Sequence, residues 1–350
     1  MKRIAPLCWV LALVSLACTA APPAAPKPTA AGPTGVLTSM TPIKYASTGL
    51  SWSNTPQIVG MEKKFFEPEN LSLELVVAGQ SAAVCQQVLA KAVELGQCSL
   101  NDHIQIVEQS GAPLVLVLND LVTALNYGMM AKPEIKSWAD LKGKTIMVGG
   151  PKDNTVYYTR VMARPNGLKD EDYQFQFAGA SSARFAALKS GAVDAAMLTD
   201  PFDGQAEADG YTRLGDLLPK YLTADNYSGG GAVALRDWAQ AHPNEIAAYS
   251  RALAKAIGWI YDPANKDELF TIMQPKLNVG REAFDRTYQR TIVETKMWST
   301  DGIAKVSAVQ GVVNSLVELG TLNPPAPDAS KYVDNTYAEL ALRTRQEPRN

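Results

Sequence analysis

Histidine is nearly absent from this 350-residue chain, which carries only His103 and His242. Neither CxxC nor mixed Cys/His ligand spacing occurs, so no metal site is expected. Cysteine is scarce too: Cys8 and Cys18 fall in the N-terminal stretch, leaving Cys85 and Cys98 for the rest. Blocks of basic residues are missing, and the net charge is −2, so nucleic acid has no electrostatic footprint here. G-x-S-x-G, S-x-x-K and H-E-x-x-H are all absent, which removes the familiar short signatures of hydrolases. No long apolar run appears after residue 17, so the mature chain is expected to be soluble.

The N-terminus does carry one apolar run. Lys2 and Arg3 precede an almost wholly apolar stretch over residues 4–17, as in a secretory signal. It ends in Val14-Ser15-Leu16-Ala17-Cys18, which resembles the bacterial lipobox, with Ser15 where a large aliphatic residue is usual. The expectation is a signal over residues 1–18 with Cys18 lipid-modified; ordinary cleavage after Ala20 or Ala21 is the alternative. Residues 19–40 are rich in Ala, Pro, Thr and Gly, a composition that tethers rather than folds.

Over the whole chain, 46% hydrophobic and 19% charged residues suit a globular protein, and the part beyond the tether is long enough for two packed units. Strand and helix patterns alternate. Strands are expected over residues 43–46, 71–77, 98–100 and 112–118, with helices over 56–64 and around Val84, Cys85, Val88 and Leu89. A second series follows, with strands over 144–148, 172–178 and 194–198 and helices over 155–163 and 182–190. Alternation of this kind gives mostly parallel sheets. Residues 228–231, Ser-Gly-Gly-Gly, read as a flexible stretch. The last third is helical: Ile246, Tyr249, Leu253, Ile257 and Ile260 share a face, and residues 303–319 form a second amphipathic helix stopped by Gly320.

Several stretches resemble one family in order. They are Glu62-Lys63-Lys64-Phe65-Phe66 with Leu71 to Leu75, then Asp140-Leu141-Lys142-Gly143-Lys144, then Asn166-Gly167-Leu168. Ala187-Leu188-Lys189-Ser190-Gly191-Ala192-Val193-Asp194-Ala195 and Asp200-Pro201-Phe202 complete the set. Together they resemble the periplasmic substrate-binding proteins of ABC importers for nitrate, taurine, alkanesulfonates and thiamin pyrimidine precursors. The resemblance implies an α/β fold of type II-like periplasmic binding proteins. Each of two lobes would be a mostly parallel sheet flanked by helices, with the ligand in the cleft between them. Lobe I would be residues 41–130 plus 231–325, lobe II 131–230, and residues 326–350 a helical tail. The crossings would be residues 126–132 and 229–233.

Ligands of such sheets sit at the carboxyl ends of strands, near helix N-termini. The candidates are Ser51, Trp52, Ser53, Asn54, Gln80, Ser81, Ser99 and Asn101 in the first lobe. Tyr127 comes from the crossing, and Asp153, Asn154, Thr155, Tyr157, Asp200 and Phe202 from the second. Each also has a purely structural role open to it. Ser81, Asn154 and Thr155 read as helix caps, Trp52 as a core or inter-lobe ring, and Asp200-Pro201 as a turn. Only one of Tyr157 and Tyr158 is expected to face the cleft, and both histidines are expected at the surface or in packing. Cys85, on an apolar helix face, could bridge to Cys98 in an oxidising compartment; two buried thiols are the alternative.

The resemblance implies a monomeric receptor without cofactor or catalysis, held in the periplasm or at the cell surface and handing a solute to an ABC permease. A receptor reporting to a membrane sensor is the second reading. A third is the pyridoxal-phosphate- and iron-dependent thiamin-pyrimidine synthase branch, which the two histidines and the export signal disfavour. Trp52, Tyr127, Tyr157 and Phe202 favour a flat organic ligand, pyrimidine or aromatic acid, ahead of an alkanesulfonate. No Arg or Lys cluster in the candidate loops supports a bare inorganic anion.

Overall fold

The computed structural model describes residues 33–122 and 126–345. The signal, Cys18 and residues 19–32 of the tether lie outside the described residues.

Two five-stranded sheets organise the chain. The first series runs β1 (Thr41–Ser47), α1 (Thr55–Glu62), β2 (Leu71–Val77), α2 (Ser81–Leu89), β3 (Leu95–Gly96), α3 (Leu100–Ser110) and β4 (Leu114–Leu121). The second runs β5 (Tyr127–Ala131), β6 (Thr145–Val148), α4 (Asn154–Ala163), β7 (Gln174–Phe177), α5 (Ser181–Lys189), β8 (Ala195–Thr199), α6 (Phe202–Ala208) and β9 (Thr212–Asp216). The chain returns as β10 (Gly230–Leu235), then continues as α7 (Arg236–Ala241), α8 (Pro243–Tyr261), α9 (Lys266–Leu277), α10 (Arg281–Tyr288), α11 (Val306–Glu318) and α12 (Thr336–Arg345).

The strand orders match: β2-β1-β3-β10-β4 in one sheet and β7-β6-β8-β5-β9 in the other. In each, the first three strands run parallel, and the fourth is the antiparallel strand that has just arrived from the other lobe. The two lobes are thus the α/β architecture that alternation implied, joined by exchanged strands.

Three expectations need correcting. No strand forms at residues 98–100; the strand is Leu95–Gly96, and Ser99 caps α3, accepting the Asp102 N–H at 3.1 Å. A helix begins there because Ser followed three residues later by Asp is an N-terminal signal that outweighs a short apolar run. The first crossing ends before Tyr127, which is already paired to Thr199 in the second sheet. The glycine stretch is not a flexible linker, because β10 starts at Gly230 and all six of its positions are buried. A side chain at Gly231 would collide with the Leu118 carbonyl and Asp120 Oδ1, so glycine serves close strand approach.

Four buried tyrosine and tryptophan rings, Tyr45, Tyr249, Trp52 and Trp298, anchor the first lobe together with α8. The second lobe packs around Met129, Ile146, Trp138 and Met162, and α11 joins its core to that of the first lobe through Val309, Val312 and Leu316. The C-terminal segment covers β4, where Val333 bridges Leu116 and α12 lies on α8.

Candidate functional site

Both sheets point their carboxyl ends at the same crevice. The loop after β1 supplies Ser51, Trp52 and Ser53, and the end of β8 supplies Thr199 and Asp200. Asn126 comes from the crossing, and Thr291 and Met297 from the segment that continues α10 through a π-turn, Gln289–Glu294. They enclose a cavity of about 80 Å³, room for a few waters or one small head group.

Much of the lining is already fixed by its own hydrogen bonds. Ser51 Oγ donates to Asn54 Oδ1 at 3.0 Å and lies 2.8 Å from Ser53 Oγ. Asn126 Nδ2 donates to Asp216 Oδ1 at 3.2 Å while its Oδ1 accepts the Leu218 N–H at 3.1 Å. Trp52 Nε1 donates to Thr291 Oγ1 at 2.7 Å, and the ring packs edge-on to Phe284 at 5.6 Å. With 7% exposure, Trp52 is a core residue that shows one edge to the crevice, not an open stacking platform. The loop position was readable, but the direction of the indole was set by α10, far away in sequence.

Asp200 sits on the boundary between crevice and lobe interface. Its Oδ1 accepts from Arg290 Nη2 at 2.9 Å and from the Thr287 hydroxyl, both on the first lobe. Arg290 Nη2 also donates to Asp203 Oδ2 at 2.9 Å, and Arg213 Nη2 reaches the same oxygen at 3.0 Å. Arg286 Nη2 donates to the Gly204 carbonyl at 3.0 Å, a direct link between α10 and α6 beside the bonds that Thr287 and Arg290 make to Asp200 and Asp203. Behind these bonds lies a charged groove of about 510 Å³ bordered by Glu207, Arg213, Asp216 and Arg286. The Asp203 side chain is fully buried, and burial, then the neighbouring Asp200, pushes its carboxyl up to about 7 against the pull of Arg290 and Arg213.

The remaining sequence candidates fall elsewhere. Tyr127 and Tyr157 join Tyr158 and Tyr227 in a ring cluster with centroids 5.3 to 6.1 Å apart. Asn101 reaches this cluster, accepting from the Tyr227 hydroxyl at 3.4 Å. Asp153 caps α4 by accepting from Thr155 N at 2.9 Å, and Asn154 is the first residue of that helix. Asn54 donates to Gln97, Ser81 Oγ accepts the Ser99 N–H at 2.7 Å, and Gln80 is exposed before α2. Phe202 turns into the second lobe, 6.2 Å from Phe185. Cys85 and Cys98 are joined as a disulfide.

Sequence reasoning missed Asn126, Thr199, Thr291 and Met297. Thr199 stands at a strand end, beside Asp200, and the strand-end rule could have included it. Thr291 and Met297 arrive only through tertiary packing.

Chemically, the crevice is a hydrogen-bonding site with one carboxylate. Its lining has no histidine, cysteine or lysine, and no cluster able to hold a metal exists among the described residues.

Residues 52–266 match the sequence model of the NMT1/THI5-like family. The chain belongs to that family. The match takes in every stretch quoted above for the resemblance. No curated protein sequence matches the chain. Among solved structures, the alkanesulfonate-binding protein SsuA of Xanthomonas axonopodis pv. citri superposes with a TM-score of 0.66 at 16% identity, over 85% of this chain and 100% of that one. The periplasmic nitrate-binding protein NrtA of Synechocystis PCC 6803 gives 0.70 at 14% identity, over 88% and 90%. The desulfurization enzyme DSZB gives 0.65 at 14%, over 87% and 99%. This NMT1/THI5-like chain therefore has the two-lobe fold of periplasmic binding proteins, a fold that an enzyme also uses.

Proposed function

We propose that the protein is an extracytoplasmic solute receptor that closes two lobes on a small organic molecule and hands it to an ABC importer. The observation that carries this is the shared crevice: Ser51 and Ser53 on one wall, Thr199 and Asp200 on the other. A pocket built from both lobes binds its ligand best when they are closed, and closure is what a receptor presents to a membrane partner. Family membership and the binding-protein neighbours support the same reading. Binding, not catalysis, fits the lining, because nucleophilic or acid–base chemistry needs a paired group and Asp200 is the crevice's one titratable side chain. Periplasmic location and a lipid anchor on Cys18 belong to this proposal.

A thermal-shift screen of pyrimidines, aromatic acids, amines, sulfonates and nitrate finds the ligand. At about 100 times its dissociation constant, a true ligand stabilises the fold by about 2.7 kcal/mol. Ser53→Ala in the first lobe and Thr199→Val in the second should each weaken it at least roughly tenfold. Wild-type affinity in both variants would remove the crevice as the site.

A further inference from the structure

Asp120 lies near the end of β4, where the chain leaves the first lobe, and β10, which brings the chain back, runs antiparallel beside it. Gly230 pairs with Leu121 and Ala232 with Leu118, so Gly231 alone faces Asn119 and Asp120 in a bulge. A Cβ at Gly231 would fall 2.5 Å from Asp120 Oδ1. The roots of both crossings thus meet at this carboxyl. Asp120, Gln57 of α1, Tyr45 of β1 and Tyr249 of α8 are all fully buried. Gln57 Nε2 lies within 3.3 Å of three acceptors, Asp120 Oδ2 and the two tyrosine hydroxyls. Asp120 Oδ1 and Gln57 Oε1, by contrast, are buried acceptors with no donor in hydrogen-bonding geometry. Leaving both unmet is costly, and one proton relieves the pair. A neutral carboxyl donating from Oδ1 to Oε1, while Nε2 donates to Oδ2, closes a ring of two hydrogen bonds.

We infer that Asp120 holds a proton in the folded protein, shares it with Gln57, and so fastens the joint at the root of both crossings, which loosens when the proton leaves. The titratable groups that face Asp120 are Tyr45 and Tyr249, whose phenols burial holds well above 10, so neither brings a charge. β10 contributes only Gly231, and the segment after the π-turn the Ser299 amide, which donates to the Asp120 carbonyl at 2.9 Å. No lysine, arginine or histidine among the described residues acts on the carboxyl. Burial pushes it up to about 7, against the Gln57 bond and the amides of Asp120 and Leu121. Once the proton passes to solvent, an uncompensated charge is left buried against the bulge. Water reaches it most readily where the β4–β10 ladder is already interrupted, at Gly231. On the receptor reading, the same proton makes solute release easier as pH rises; the joint itself is tested without a ligand.

The test compares the full chain with Asp120→Asn, whose amide both donates and accepts and so keeps the ring, but has no proton to lose. Infrared difference spectra at about pH 5 should show the carbonyl stretch of an un-ionised carboxylic acid in the wild type and not in the variant. That band should vanish by about pH 9, so the range spans two units either side of the carboxyl's value of about 7. Hydrogen exchange, corrected for intrinsic rates, should report the joint. Over the same range, protection of the β4 and β10 amides beside the bulge should fall at least roughly tenfold more in the wild type than in Asp120→Asn. Asp203 also titrates near 7, so the difference between the two chains is what counts. Should Asp120→Asn not fold, Gln57→Leu takes its place. Loss of both ring bonds should move the wild-type transition by at least about one pH unit, whereas a transition owned by Asp203 stays in place. An acid band that Asp120→Asn does not remove means an ionised Asp120 and overturns the inference. An Asp120 band with equal loss of protection in both chains means the proton does not fasten the joint, and overturns it as well. Neither result touches the receptor reading.

Discussion

Single residues decide how much of the site was visible in the sequence. Trp52 was legible as a loop residue after the first strand, but its burial against Phe284 and Trp298 was not, because those rings lie more than two hundred residues away. Its role is therefore tested as packing. Trp52→Ala should cost about 3–5 kcal/mol in chemical denaturation, as for a large buried ring. Trp52→Phe keeps an aromatic ring but loses the bond to Thr291 and part of the buried indole, so about 1–3 kcal/mol should go. Asp120 was not legible at all. It is fully buried in β4, with Gln57 of α1 donating to Oδ2 at 3.1 Å, Tyr249 of α8 and Tyr45 of β1 nearby, and Gly231 of β10 against Oδ1. Burial pushes its carboxyl from an ordinary 3.8 up to about 7, with the Gln57 bond pulling the other way. The unfolded chain then ionises before the folded one, so this contribution to stability is full below about 4 and lost as pH rises through 7. His103, lowered to about 4 by its own burial, acts oppositely, losing stability as pH falls from 6.5. Comparing Asp120→Asn with wild type cancels the histidine. The variant should gain on the wild type by a few kcal/mol, order of magnitude, between pH 4 and pH 8. Parallel pH profiles would mean the carboxyl stays ionised throughout.

At the scale of elements, strand and helix order was readable, and one regularity went unnoticed. β2, α2 and β3 repeat as β7, α5 and β8 one hundred residues on, Val77-Ala78-Gly79-Gln80-Ser81 against Phe177-Ala178-Gly179-Ala180-Ser181. The first helical serine does the same task in both copies. Ser81 Oγ accepts the Ser99 N–H at 2.7 Å, and Ser181 Oγ accepts the Thr199 N–H at 3.0 Å. Each bond ties a helix start to the far side of the next strand, at the Ser99 cap of α3 in the first copy and at Thr199, the last residue of β8, in the second. A cap was the natural expectation for Ser81, and its true partner lies across a loop that spacing alone does not close. The copies differ at one device: the first adds the Cys85–Cys98 disulfide, where the second has Phe185 and Leu198. A bridge spanning 13 residues should contribute about 3 kcal/mol by restricting the unfolded chain. Cys85→Ala with Cys98→Ala should lose about that amount in denaturation, and the native protein should show no alkylatable thiol at either position. Two labelled thiols in denaturant without reductant would contradict the bridge.

For the whole molecule, the decisive contacts are those no local pattern announces. Two flanks hold the lobes together. On one, α11 fills the space between α3 and α4 with Val309, Val312 and Leu316. On the other, α10 and its π-turn reach α6 through Arg286, Thr287 and Arg290, pairing residues 82 to 90 positions apart. The first flank is apolar and insensitive to salt, and the second is a set of partly buried charges. Removing one member of such a set leaves its partners uncompensated, which costs more than the pair contributes. Arg290→Gln leaves Asp200 with the Thr287 bond and Asp203 with Arg213, so the α10–α6 flank should release while the α11 flank holds. The lobes should then swing apart about the apolar side, visible as a larger radius of gyration in solution scattering of the unliganded protein. If closure is the binding-competent state, the same variant should bind ligand roughly tenfold more weakly, with the deficit appearing as faster release. High salt should move the wild type less than the substitution does, because the Arg290 pairs are largely buried and only the Glu207 and Glu282 ends of the set are exposed to screening. A radius of gyration unchanged by both the substitution and the salt would assign the closed form to α11 alone.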